Sequence, residues 1–279
     1  MKKMRKQLLI IFGLSIWMQF AWAVTPQWDF VELQHKARKG DQQAQFNLAG
    51  RYYTGDGVQQ NYAQALKWFE KAAAKGNATA LLNVGLMYQQ GQGTSINALK
   101  ARQYIQKAAD QGDREAIRGL AYLYEQGMGG EQDMAKAISL LEQAAALGSN
   151  ESRLKLGFLY DQGQLVKQDY QKAFYWYSQA AEDGFAVAQF NLAVMYQEGM
   201  GLDKNPKLSN QWYLAAAQQG NKDAQLNLGL NNCYGKNGLS TNRAQAEQWF
   251  QKAAQQGDAN AEKLLRILQN NVKMCTTLS

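Results

Sequence analysis

Small and aliphatic positions recur along the chain at a fixed interval, and this recurrence predicts its secondary structure. In the first instance Ala44 is followed four residues later by Leu48, and after four more by Tyr52. The small and aliphatic pair returns every 36 residues, as Ala80/Val84, Ala116/Leu120, Ser152/Leu156, Ala188/Leu192 and Ala224/Leu228. Residues four apart lie on one face of an α-helix, so each instance predicts a helix with an apolar face.

A second helix follows the first in every unit. Its small position, Ala65 in the first unit, precedes a large residue by three positions, and we expect the tryptophans among these residues to lie in the core. The large residues are Trp68, Tyr104, Leu140, Trp176, Trp212 and Trp249. Glycine ends the first helix because it tolerates the left-handed conformation of a C-terminal cap, at Gly55, Gly91, Gly127, Gly163, Gly199 and Gly235. Each unit is therefore predicted to be a pair of antiparallel helices.

The interval defines a repeat array with a shorter segment at each end. A repeat of this length is typical of a stacked helical solenoid, in which each unit buries its apolar face against its neighbours. We assign repeats to residues 40–75, 76–111, 112–147, 148–183, 184–219 and 220–256. Residues 24–39 are predicted to form an N-terminal capping helix, and residues 257–279 a C-terminal capping helix and tail.

The units resemble Sel1-like repeats, which are relatives of the tetratricopeptide repeat with a longer loop between the helices. The resemblance is carried by segments such as AQFNLAGRYYTGDGVQQNYAQALKWFEKAAAKG, and it covers residues 40–256. It implies an all-α fold, a right-handed α-solenoid of six two-helix repeats of about 36 residues with a capping helix at each end. It also implies a protein that binds other proteins, often in secretion, envelope assembly or host contact.

The N-terminal segment has the pattern of a secretory signal peptide. Lys2, Lys3, Arg5 and Lys6 precede an apolar stretch, and Ala21 and Ala23 supply the small residues of a cleavage site. We expect residues 1–23 to be removed after Ala23 and the mature protein to be periplasmic or secreted, without a transmembrane segment. From Val24 onward the chain has 26 basic and 23 acidic residues. This net charge of +3 gives no basic stripe, so we do not expect nucleic acid as a partner.

The two cysteines suit an oxidising compartment. Cys233 and Cys275 are the only ones in the chain, and one repeat added to Cys233 lands close to Cys275. A disulfide that staples the terminal unit is favoured, and two unpaired thiols are the alternative. Because His35 is the single histidine, the chain lacks the residues for a histidine-based metal site or a nucleophile triad. We therefore predict no catalytic residue, no metal and no cofactor.

A partner-binding groove is expected along the first helices, on the concave side if they pack as in tetratricopeptide arrays. Four units carry asparagine there, at Asn47, Asn83, Asn191 and Asn227. An asparagine offers both a donor and an acceptor to the backbone of an extended peptide, although asparagines that bond within their own helix give the same pattern. Tyr53, Tyr122 and Phe158 add aromatic groups of the kind that dominate binding surfaces, and core packing is the competing interpretation.

Three functions remain open at this point. The favoured one is a non-catalytic periplasmic scaffold that binds a protein or peptide in the groove, with a monomer as the favoured state. The second is an immunity protein that neutralises a secreted toxic effector, such as a phospholipase, in the periplasm. The third is a protein that binds or acts on cell-wall material, as suggested for cysteine-rich relatives that carry a cysteine pair in each repeat. This chain lacks that cysteine pattern.

Overall fold

The described part of the chain is helical throughout. A computed structural model describes residues 29–270 and Cys275, and within these residues it contains fourteen α-helices and no strand. They are α1 (Phe30–Arg38), α2 (Gln42–Thr54), α3 (Tyr62–Ala73), α4 (Ala78–Gln90), α5 (Ala98–Ala109), α6 (Arg114–Gln126), α7 (Met134–Ala146), α8 (Asn150–Gln162), α9 (Tyr170–Glu182), α10 (Ala186–Glu198), α11 (Pro206–Gln218), α12 (Lys222–Tyr234), α13 (Arg243–Gln255) and α14 (Ala259–Asn270). The predicted all-α solenoid is confirmed.

The helices form two compact units, one ending at Leu140 and the other beginning at Leu141. In the first unit successive helices pack against each other from α1 through α6. In the second unit the same holds from α8 to α14. The boundary falls within α7. None of the helices in the described ranges has the length and apolar character needed to cross a membrane.

Short polar residues and glycines fix where the helices begin and end. The predicted glycines do end the first helices, for example Gly55 at φ +81° after α2. The sequence analysis did not identify the residues that begin the helices. Asn or Asp precedes most helices, and its side chain accepts a hydrogen bond from the backbone N–H three residues on, as Asp41 does from Ala44 at 2.7 Å. Phe185 before α10 makes no such bond.

The paired helices approach closely at their small residues. Ala44, Ala80, Ala116, Ser152, Ala188 and Ala224 are all fully buried. In the second small column a Cβ atom on Gly85 would lie 2.5 Å from Ile105 Cγ1, and one on Gly157 would lie 2.5 Å from Tyr177 Cδ1. Tyr88 O, one turn beyond Gly85, accepts from Asn97 N, so α4 and α5 are antiparallel as predicted. Glycine is required here because a methyl group would overlap the partner helix.

The tryptophan stripe is less uniform than its spacing suggests. Trp68 and Trp249 are buried, as expected for core residues. Trp176 and Trp212 are only half-buried, and both lie on second helices of the second unit, α9 and α11. The repeat period therefore identified the tryptophan positions correctly, but it did not predict how deeply each side chain is buried.

A second loop glycine brings consecutive repeats together. Gly129, at φ +75°, lies against the start of α5, and a Cβ atom there would overlap the carbonyl oxygen of Ala98. Gly93 meets the backbone of Tyr62 in the same way. These loop glycines are therefore contact points between one hairpin and the next.

We predict that Gly129→Ala destabilises the protein more than Gly57→Ala. Both positions have positive φ, which costs a non-glycine residue about 1 kcal/mol. A Cβ at Gly57 meets only the Arg51 guanidinium at 3.6 Å, whereas one at Gly129 meets backbone, which adds about 1–3 kcal/mol. Thermal denaturation followed by circular dichroism measures the difference, and equal melting temperatures would contradict the contact.

Candidate interaction surface

The candidate surface consists of two columns of positions on the first helices, here called the first-helix face, of which Gly50, Asn83, Leu86 and Gly119 are buried. Two positions three residues apart lie on the same side of each helix. In the first unit they are Asn47 and Gly50 of α2, Asn83 and Leu86 of α4, and Gly119 and Tyr122 of α6. In the second unit they are Lys155 and Phe158 of α8, Asn191 and Val194 of α10, and Asn227 and Leu230 of α12.

The asparagines of this face have different environments. The half-buried Asn47 accepts a hydrogen bond from Gln43 Nε2 at 3.0 Å, one turn earlier in α2. Asn227 Nδ2 donates to the carbonyl oxygen of Asp223 at 2.8 Å, again within its own helix. The half-buried Asn191 has the intermediate exposure that suits a binding residue. Two of the four asparagines thus make the local bonds that the sequence left open as an alternative.

Asn83 differs from the other three because it is buried. Only 5% of its surface is exposed, and its Nδ2 atom is buried without a hydrogen-bond acceptor. A buried amide donor without a partner costs roughly 1–3 kcal/mol. No hydrogen bond from Asn83 Nδ2 to the folded chain offsets this desolvation cost.

Two buried glycines on the first-helix face, Gly50 and Gly119, leave room for a larger side chain. A Cβ atom on Gly50 would have no neighbour within 4 Å outside the backbone of its own helix, and one on Gly119 would touch only Ile105 Cγ2 at 3.8 Å. Glycine in a helix interior costs about 1 kcal/mol relative to alanine. In contrast to Gly85, these two positions would accept alanine without overlap.

Tyr53 is held within a polar and aromatic cluster at the end of α2. Its ring packs edge to face against Tyr62, with centroids 5.1 Å apart, and its hydroxyl bonds with the Gln92 side chain. Burial raises the pKa of Tyr53 above its ordinary value, and the bond with Gln92 offsets this only in part. Tyr53 therefore contacts both the start of α3 and the loop that follows α4, and its side chain is less available to a partner than the sequence suggested.

The two remaining predicted aromatics are half-buried and belong to different compact units. Tyr122 lies on α6 in the first unit, and Phe158 lies on α8 in the second. Half-burial leaves part of each ring available while its base is fixed by packing. Each is thus a candidate anchor within its own unit.

Tyr234 is an exposed aromatic that the sequence analysis missed. It ends α12, and half of its surface is exposed, while Lys236 Nζ lies 5.5 Å from its ring centroid. The other units have polar residues at this position, namely Thr54, Gln90, Gln126, Gln162 and Glu198. This departure from the polar column was visible in the sequence and could have identified it.

The cysteines close the C-terminal end of the second unit. Cys233 is joined to Cys275 by a disulfide bond, and both residues are buried beside Phe250 and Leu268. Arg243 also donates to the carbonyl oxygen of Leu268 in the final helix. The predicted signal peptide, by contrast, lies outside the described residues.

The described ranges contain no arrangement typical of a metal site, since no three His, Cys, Asp or Glu residues cluster there. His35 is exposed on α1. Burial raises the pKa of Tyr177 well above its ordinary value and raises that of Tyr213 as well, so both hydroxyls stay protonated and are poor bases. Tyr177 and Tyr213 therefore serve the core, packed under the first helices.

The stacked helical hairpins place this protein among the α-solenoid repeat proteins. The Sel1 repeat model matches six consecutive segments, at residues 42–77, 78–113, 114–149, 150–185, 186–221 and 222–258. The chain therefore belongs to the Sel1 repeat family, as its sequence resemblance implied. Sel1 repeat proteins are protein-interaction scaffolds.

Solved structures show the same fold. A Sel1 repeat protein from Oxalobacter formigenes is 31% identical with a TM-score of 0.65, and the match covers 80% of this chain and 90% of that one. The protective antigen c5321 of uropathogenic Escherichia coli is 27% identical with a TM-score of 0.54, over 85% of this chain and 66% of that one. An immunity protein of Pseudomonas aeruginosa is 20% identical with a TM-score of 0.42, over 77% of this chain and 81% of that one, a likeness too weak to bear on fold or function. No curated protein sequence matches the chain.

We predict that reduction of the disulfide destabilises the C-terminal end. A bond between residues 42 apart contributes about 4 kcal/mol in the chain-entropy model. Dithiothreitol should lower the melting temperature and speed amide exchange in α14, because that helix loses its covalent attachment. The double variant Cys233→Ala/Cys275→Ala is the control and should not respond to reductant. Identical melting curves for the oxidised and reduced protein would contradict the prediction.

Proposed function

We propose that this protein is a non-catalytic scaffold that binds a protein or peptide partner through the first-helix face. Membership of the Sel1 repeat family supports protein binding as the general function, and we assign the binding surface to the first-helix face. The core columns repeat with little change, because they must fit the neighbouring helix. The first-helix face varies from unit to unit, which is the behaviour of a surface fitted to something outside the fold.

Gly50 is the observation that carries the proposal. Its place in the middle of α2 weakens the helix, and no neighbouring group requires the space that glycine leaves. Gly50 is buried in the fold, and the space beside it is what we propose a partner's backbone occupies. The equivalent position is the buried Leu86 in the next repeat and Tyr122 in the one after. Along the first unit this column thus passes from a buried glycine to a half-buried aromatic ring.

Asn83 supports an extended peptide as the partner. Its Nδ2 donor has no acceptor in the folded chain, and a backbone carbonyl of a bound segment would satisfy it after a small displacement of the side chain. The desolvation cost of the Asn83 Nδ2 group is then offset when the partner binds and not when the chain folds. Tyr122 provides an apolar contact in the first unit, and Phe158 and Tyr234 do so in the second, since partly exposed aromatic side chains dominate interface energies.

We also propose that the protein acts outside the cytoplasm. The N-terminal pattern of basic residues, apolar stretch and Ala-x-Ala supports export, and a disulfide persists in an oxidising compartment. The partner is then a protein of the same compartment or one delivered into it.

We predict that Gly50→Ala separates binding from stability. The variant should be as stable as the parent or more stable by up to about 1 kcal/mol, since alanine favours the helix and meets no neighbour. Its affinity for the partner should fall because the methyl group fills the open position. Gly85→Ala is the matched control and should lose stability, because its methyl group overlaps Ile105.

The partner needed for this measurement is obtained by photo-crosslinking. A photoreactive phenylalanine at position 122 of the full chain should crosslink to it, while one at the exposed position 103 on α5 should not. Isothermal titration with the purified partner then compares the variants. Equal affinity of Gly50→Ala and the parent, or crosslinking at 103 alone, would refute the first-helix face as the binding surface.

We predict that the chain is exported and cleaved after Ala23. Expression of the full sequence in a Gram-negative host should place the protein in the periplasmic fraction, with Val24 as the first residue by N-terminal sequencing. Lys2, Lys3, Arg5 and Lys6 replaced together by glutamate should retain the precursor inside the cell, because the basic segment directs translocation. Uncleaved parent protein in the cytoplasm would contradict export.

A further inference from the structure

Tyr175 is an exposed aromatic residue on a second helix, α9. The residue is 54% exposed to solvent. The equivalent residues in the other five units are all polar, namely Lys67, Gln103, Ser139, Gln211 and Gln248. The helical period therefore places Tyr175 in a column that faces solvent, where the fold has no use for a tyrosine.

The neighbours of Tyr175 hold its ring in place without covering it. Phe174, Tyr175, Trp176 and Tyr177 follow one another, and three of them pack against the protein. Tyr177 is fully buried, and Phe174 packs edge to face on Tyr196 at 5.8 Å. The Tyr175 ring meets Trp176 edge to face, with centroids 4.8 Å apart and planes at 73°. An exposed ring fixed by a second aromatic is a rigid platform, so little conformational entropy is lost when a ligand covers it.

The surface around this ring is nearly free of charge. No charged residue occurs in residues 173–181 of α9 or in residues 208–221, which include most of α11. Both helices pack against α10, and α11 adds the exposed Leu214 and Gln211. The nearest cation in α9, Lys172, places its Nζ 4.9 Å from the ring centroid of Tyr160. The second helices of the first three repeats carry charges, for example Lys67, Glu70 and Lys71 of α3.

Neutral hydrogen-bonding groups flank the ring. Gln171 and Gln179 lie one turn before and one turn after Tyr175, on the same side of α9. Each amide supplies two donors and an acceptor, which is the combination that hydroxyl groups require, because a hydroxyl both donates and accepts. We propose that α9 forms a binding platform for a neutral oligosaccharide, with a sugar ring stacked on Tyr175.

The chemistry of this platform favours a sugar over other ligands. One face of a pyranose carries C–H groups that pack on an aromatic ring, and its rim carries hydroxyls for Gln171 and Gln179. A nucleic acid would also stack on the ring, but it requires several cations for its phosphates, and residues 173–181 of α9 carry none. The proposal is independent of the partner-binding function, because it uses second helices instead of the first-helix face.

The test is isothermal titration of the full chain with two uncharged hexasaccharides, chitohexaose and cellohexaose. The parent should bind at least one of them. Tyr175→Ala should weaken binding about tenfold or more, and Tyr175→Trp should retain it, because stacking needs only an aromatic face. Both variants should melt with the parent, since the position is exposed.

Tyr234→Ala is the matched control, because Tyr234 is a similarly exposed tyrosine on a first helix. It should leave oligosaccharide binding unchanged while weakening the protein partner, and Tyr175→Ala should do the reverse. The proposal is overturned if neither sugar binds the parent, or if Tyr175→Ala binds as the parent does. It is also overturned if Tyr175→Ala weakens the protein partner instead, which would make this surface a protein interface.

Discussion

The close approach of two helices at small side chains is the constraint on which this structure depends. The buried alanines of the first helices, such as Ala44 and Ala80, leave no room for a larger residue. In the next small column Gly157 lies against the Tyr177 ring, whereas Ala193 packs in one buried cluster with Tyr213. Small residues therefore face large ones across the hairpins, and burial of these surfaces supplies most of the stabilisation.

The same constraint separates the residues that build the fold from those that are free to bind. Gly50 and Gly85 both lie within first helices of consecutive repeats, but only Gly85 is required by its neighbours. Positions that face the paired helix repeat from unit to unit. Positions outside this contact differ more, and Tyr122 and Tyr175 lie among them. Function in such an array is found where the repeat is broken outside the core.

An array of identical hairpins also requires terminal elements that do not present an uncovered apolar face. At the N-terminal end of the first unit α1 packs on α2 and contributes the buried Leu33. At the other end of the second unit α14 covers α13, and the disulfide ties Cys275 to the last first helix. The sixth repeat, which departs most from the pattern, is the one that carries this attachment.

The sequence by itself determined the helices, their glycine ends, the six repeats and the family, because all of these follow from spacing along one chain. It also indicated the columns of the first-helix face. Only the tertiary structure decided that Asn83 is buried, that Asn47 and Asn227 bond within their own helices, and that Trp176 is half-buried. A period specifies the direction in which a side chain points. How deeply it is covered depends on the neighbouring helices, whose side chains differ from one repeat to the next.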